Sequence, residues 1–148
     1  MNPTKGLTLI KVLFLALLAT VASAGLLSAE DYKGKFTLPV ETKWGTATLP
    51  AGDYEFKLNT NVAPYTIKVS GVSGKDGAVF IFAAGVSDAS APGQSTLIIV
   101  RRGRNGTVRA FHLAKEGLVF TYGAPKGELL LAEGPQLIQR IPVLIAHK

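Results

Sequence analysis

From about residue 31 onward, apolar and polar side chains alternate along the chain. Turn-forming residues interrupt the alternation roughly every 8 to 12 positions, the spacing of short antiparallel strands. Phe36, Leu38 and Val40 alternate with Lys35, Thr37 and Pro39. Tyr54, Phe56 and Leu58 alternate with Glu55 and Lys57, and Tyr65, Ile67 and Val69 with Thr66 and Lys68. Each triplet is one apolar face of a half-buried strand. No helical period runs through the chain. The pattern predicts an all-β fold: a single-domain antiparallel β-sandwich or flattened barrel over residues 25–148, of about eight or nine strands.

Local signals refine the elements. Pro39 has no amide hydrogen to give to a ladder, so its segment reads as an edge strand or a strand start. Ala78–Val86 is apolar on both parities, which fits a central strand buried on both faces or a short helix. Ser87–Ser95 is the longest polar loop. Asn105-Gly106 predicts a two-residue type I′ turn, because both central positions need positive φ. Centred there, the hairpin sets Arg104 opposite Thr107, Arg102 opposite Arg109, Val100 opposite Phe111, and Ile98 opposite Leu113. Leu118–Tyr122 and Glu128–Ala132 read as further strands. Gln136–Ala146 closes the chain, and Pro142 makes it an edge strand or two short ones.

The stretch from Trp44 to Phe56 holds the chain's one tryptophan. Trp44 has even parity, whereas Ala47 and Leu49 are odd. A bulge at Gly45 would let both sets face inward and make Trp44 a core anchor. Leu49-Pro50-Ala51-Gly52 then reads as a three-residue hairpin connection, with Pro50 presetting the first turn position and Gly52 taking positive φ. The pattern W-G-x-A-x-L-P-A-G-x-Y over Trp44–Tyr54, preceded by Phe36-x-Leu38-Pro39 and followed by the Pro-Gln and Ile-Pro-Val run of residues 134–143, resembles a set of small secreted bacterial proteins of unknown function. The resemblance implies export and β architecture. It assigns no chemistry to any residue.

Residues 1–24 carry a secretory signature. Lys5 and Lys11 precede the apolar run Val12–Ala22, and Ala22-Ser23-Ala24 has the A-x-A cleavage pattern, which places the cut between Ala24 and Gly25. The run is shorter than the ~20 residues that span a bilayer, so no membrane span is expected after removal. The segment holds two lysines and no acid, so its loss lowers the net charge from +6 to +4. So mild a charge, on an exported chain, argues against nucleic acid as a partner. There is no cysteine and there are only two histidines. Thiolate chemistry, disulfides, lipoprotein acylation and a histidine-rich metal site are therefore excluded, and no calcium loop motif occurs. No cofactor is implied.

Catalytic sets are also missing. Gly71-Val72-Ser73-Gly74 comes closest to a nucleophile elbow but lacks the strand-to-helix setting. His112, expected opposite Ile99 and on the face away from Phe111, reads as a partly buried strand residue. The clearest candidate is a cluster of Arg101, Arg102, Arg104 and Arg109 at the hairpin tip. Like charges set opposite one another destabilise a sheet, so a sequence that keeps them either holds an anion (an envelope glycan, a lipid, or an acidic protein) or has a solvated tip that keeps the arginines apart and guards the edge against pairing. The sequence thus points to an exported, non-enzymatic module of the cell envelope or exterior, acting by binding or assembly. The alternative is a small apolar-ligand carrier with a pocket between the sheets, lined by Phe80, Phe82, Phe111, Phe120 and Tyr122.

Overall fold

The computed structural model describes residues 31–75, 77–89, 93–123 and 135–146. The expected signal segment with Ala24 and Gly25, and the expected strand Glu128–Ala132, lie outside the described residues. Among those described there are twelve strands: β1 (Asp31–Leu38), β2 (Thr42–Trp44), β3 (Ala47–Leu49), β4 (Gly52–Asn59), β5 (Thr66–Gly71), β6 (Val79–Phe82), β7 (Gly85–Asp88), β8 (Thr96–Arg102), β9 (Asn105–Leu113), β10 (Leu118–Thr121), β11 (Leu137–Pro142) and β12 (Leu144–Ala146). They form two sheets in an all-β, sandwich-like fold. The first sheet has the order β12-β1-β4-β5-β6; the second runs β11-β8-β9-β10-β7 and carries the short β2–β3 hairpin beside β9. Pairing is antiparallel throughout, except where β2 lies parallel to β9.

The two sheets are tied at both sides by strands that change sheet. The Ala83 amide donates to Tyr65 in the first sheet, and the next amide, Ala84, donates to Thr121 in the second. The segment Ala78–Val86 is therefore extended, as expected, but it is not a central buried strand. It splits into β6 and β7, one at an edge of each sheet. Its two parities are apolar because the chain bends across a corner, and Phe80 and Phe82 end up facing outward. At the other side Pro142 ends β11, Val143 crosses over, and β12 joins β1, giving the two short edge strands that the proline predicts. Pro39 lies one residue past β1, which is an inner strand between β12 and β4 rather than an edge.

The core lies between the sheets. Phe36, Leu38, Tyr54, Phe56, Leu58, Ile67, Val69 and Ile81 enter from the first sheet, and Leu97, Ile99, Val108, Phe111, Leu113 and Phe120 from the second. Phe56 and Phe111 meet edge-to-face across the gap at 5.4 Å. The spacing gives each ring the quadrupole-favoured approach as well as its area burial.

Trp44 is a core anchor, only 1% exposed, with its ring edge-on to Phe36 at 5.7 Å and to Tyr122 at 5.3 Å. The device that aims it differs from expectation. Gly45 is no bulge; it is the first residue of a two-residue turn, with φ +62°. Trp44 lies directly across from Ala47. A hairpin pairs an even position with an odd one, so the two parities share a face without any inserted residue. Leu49-Pro50-Ala51-Gly52 is not a hairpin either. It carries the chain from β3, paired with β2, to β4, paired with β1. Gly52 does take positive φ, at +152°. The Tyr54 hydroxyl pins this crossing by donating to the Pro50 carbonyl at 2.7 Å.

Candidate functional site

The outer face of the first sheet is built from the polar parity of its strands. Alternation sends Lys33, Lys35 and Thr37 of β1, Asp53, Glu55 and Lys57 of β4, and Lys68 of β5 to solvent. Register then decides who meets whom. Lys33 stands opposite Lys57, Lys57 opposite Lys68, and Lys68 opposite Phe80 of β6. Three lysines thus form one row across three adjacent strands, with an exposed aromatic ring at its end. Strands lie about 4.8 Å apart, so the ammonium groups are held within a few ångströms of one another's reach. Like charges placed directly opposite in a sheet are unfavourable, by up to ~1 kcal/mol per pair.

The surroundings relieve this row only in part. Asp31 accepts from the Lys57 Nζ at 2.7 Å, and Glu55 holds Lys35, two residue pairs along the strands, at 2.9 Å. Lys33 and Lys68 have no acid partner among the described residues. The Lys68 ammonium lies 5.8 Å from the centre of the Phe80 ring, within cation–π range. Two grooves run along this face. One, of about 420 Å3, is lined by Lys33, Lys35, Glu55, Lys57, Lys68, Ser70 and Leu144. The other, of about 350 Å3, is lined by Asp31, Lys57, Lys68 and Phe80. They share Lys57 and Lys68 and flank the lysine row, which divides the trough they make. Phe80 and Leu144 line it at 59% and 65% exposure, and Phe82 on the same strand as Phe80 is 60% exposed.

The arginine hairpin is arranged differently from its sequence-based register. The turn is Gly103-Arg104, not Asn105-Gly106: Arg102 pairs with Asn105 and Arg101 with Gly106. Gly103 has φ +60° and Arg104 does not go positive, so one glycine suffices. A register shift between Ile98 and Ile99 makes Arg109 an extra residue in β9, with Ile98 opposite Ala110 and Ile99 opposite Val108. Arg102 and Arg109 therefore do not face each other, and the like-charge argument does not apply to them. Arg101 is half-buried, with its Nη1 donating to Gln139 over a long 3.5 Å. Arg104 is exposed at the turn.

Gly106 is instead a contact point, since its amide donates to the Glu41 carbonyl at 2.9 Å where β2 crosses. His112 pairs with Thr96 and Val119, not with Ile99, and its buried Nε2 has no hydrogen-bond partner. Of the aromatic residues assigned to an inter-sheet pocket, Phe111, Phe120 and Tyr122 are packed into the core, while Phe80 and Phe82 face outward. A larger groove, about 740 Å3, opens instead at the seam between β1 and β11, beside Phe36, Tyr54 and Ile141.

Among the described residues, Tyr122 is the one with a strongly displaced ionisation. Burial pushes its phenol well above the ordinary range, and the Trp44 indole offsets a smaller part of that. The indole N–H itself is buried and completes no hydrogen bond of good geometry, so its influence on the oxygen is electrostatic.

No protein-family model, curated protein or solved structure matches the chain. Among the described residues no helix is long and apolar enough to cross a membrane, and no group of three metal-capable side chains comes together. The lysine row escaped the sequence analysis, although its signal was present: Lys33, Lys57 and Lys68 all sit on the polar parity of strands that the alternation identifies. What alternation alone cannot supply is the cross-strand register that lines them up.

Proposed function

We propose that this protein is an exported, non-enzymatic binding module that captures an anionic partner on the outer face of its five-stranded sheet. One observation carries the reading: Lys33, Lys57 and Lys68 oppose one another across neighbouring strands, and two of the three lack an acid partner among the described residues. A sheet that keeps such a row gains from an anion laid over it, because a carboxylate, phosphate or sulfate converts repulsion into charge-assisted hydrogen bonding. The basic N-terminal segment, apolar run and A-x-A site support export. Nothing in the trough supplies a paired acid and base or a nucleophile with an activating neighbour, so the arrangement supports binding and not turnover.

The test compares two charge-removing pairs, Lys33→Ser with Lys68→Ser and Arg102→Ser with Arg109→Ser. Each is assayed for retention on an anionic panel of polygalacturonate, dextran sulfate and phosphatidylglycerol vesicles. Salt-sensitive binding lost in the lysine pair and kept in the arginine pair is the expected result. Binding that the lysine pair retains in full overturns the reading.

A further inference from the structure

Resting on that reading, we infer that the anion is a linear acidic polysaccharide lying across the strands in the trough, with charged groups over the lysine row and a sugar ring stacked on the aromatic end. Three features of the face favour a chain over a point ligand or a surface. The row runs perpendicular to the strands, so its positive positions repeat at the strand spacing of about 4.8 Å. That advance is close to the length of one sugar ring in an extended glycan, which keeps the acidic groups of such a chain within reach of the flexible Lys33, Lys57 and Lys68 side chains along the whole row. The row is also flanked on its two sides by grooves of about 420 and 350 Å3, whose shared wall is Lys57 and Lys68. A flat bilayer presents no ridge to enter such a concavity, whereas a single extended chain fits it.

The third feature is the aromatic end. Phe80 is the next residue in the row after Lys68, and Phe82 stands two residues along the same strand on the same face. Both rings are more than half exposed. A phenylalanine without a polar handle gains nothing from water, but it presents an apolar plane to the C–H face of a pyranose ring. The Lys68 ammonium lies over one face of the Phe80 ring, which leaves the opposite face for the sugar. Acid recognition and ring recognition are then adjacent, separated by one strand step. Leu144, opposite Lys35, adds an apolar side chain to the larger of the two grooves at the β12 end.

The experiment titrates the intact protein with mono-, di- and tetragalacturonate, with the methyl-esterified tetramer, and with phosphatidylglycerol vesicles. The three lysines and Phe80 are four successive positions at the strand spacing, one for each ring of a tetramer, so affinity should climb from monomer to tetramer. Esterification should abolish it. Phe80→Ala should weaken tetramer binding about tenfold, as expected for uncovering one ring face, and leave its salt dependence unchanged. Lys33→Gln should weaken binding and also flatten the salt dependence. Equal affinity for monomer and tetramer, or a Phe80→Ala protein that binds like wild type, overturns the glycan inference. So does vesicle binding without oligosaccharide binding, an outcome that leaves the lysine row standing as an anion-binding face. If no anionic probe binds, both readings fall together.

Discussion

Replacing Gly106 by alanine tests how closely β2 is pressed against the sheet. Gly106 is buried, and its φ is not in the left-handed region, so alanine meets no backbone strain. Space is the difficulty. A Cβ there would lie 2.8 Å from the Ile99 Cγ2 and 3.0 Å from the Thr42 Oγ1. Ordinary carbon contacts are about 3.5–4.0 Å, so something must retreat by roughly 1 Å. Ile99 is fully buried and Thr42 is held by its own hydrogen bond to the Val40 carbonyl at 2.8 Å. Either Ile99 leaves its rotamer, or β2 withdraws and stretches the Gly106–Glu41 hydrogen bond, which is worth about 1 kcal/mol. Together these give a loss of about 2–3 kcal/mol, typical of an overfilled core.

Urea unfolding followed by tryptophan emission measures it directly, because Trp44 is the single fluorophore of its kind and sits two residues from Thr42. Two controls separate causes. Gly103→Ala meets no neighbour but must hold φ +60°, and should cost about 1 kcal/mol. Gly77→Ala meets neither obstacle, and should be neutral or stabilising by a few tenths of a kcal/mol. The reasoning is refuted if Gly106→Ala unfolds at the same urea concentration as Gly77→Ala with unchanged native emission.

Two further outcomes follow from other contacts. Tyr122 has its folded-state ionisation raised by burial, so the unfolded chain releases this proton first; the stability it confers is intact below about pH 10 and falls by up to ~1.4 kcal/mol per pH unit above that. Tyr122→Phe should flatten the alkaline limb of stability against pH by that one-proton slope, and an unaltered limb refutes the assignment. Gly34→Ala would press a methyl group into the Leu144 carbonyl oxygen and to 2.6 Å from the Phe56 ring. Amide exchange at Leu144–Ala146 should speed markedly as β12 is pushed off β1, and retained protection counts against this account.

Much of the fold was legible because a half-buried strand writes itself as period two. The triplets at Phe36, Tyr54 and Tyr65 all fall within or beside observed strands, and Pro142 marks the break between β11 and β12. Failures came where geometry depends on a partner segment. Ala78–Val86 looked central because a strand that turns a corner is apolar on both parities, just as one covered on both faces is. Asn105-Gly106 looked like a turn because a glycine needed for close approach reads the same as one needed for positive φ. The candidate face shows the same limit: each lysine was visible as an exposed position, but their row exists only through pairings between residues 24 and 11 positions apart, Lys33 with Lys57 and Lys57 with Lys68.

The two corner strands bear on how the molecule comes apart. A chain with no cysteine has no covalent staple between its sheets except its own backbone; besides the passages from β1 to β2 and from β3 to β4, that backbone crosses at opposite sides, at Ala83–Ala84 and at Val143. The sheets cannot hinge open along either side while the flanking strands stay paired; one corner must first be stripped of its hydrogen bonds. Opening is thereby coupled to loss of β6–β7 or β11–β12, which favours a single concerted unfolding step over gradual fraying. Each bend also cuts a sheet edge short, leaving β6 and β7 four residues each, β12 three and β11 six. Runs that brief give a neighbouring molecule little ladder to extend. The same bends that close the sandwich thus guard it against adding strands from another copy.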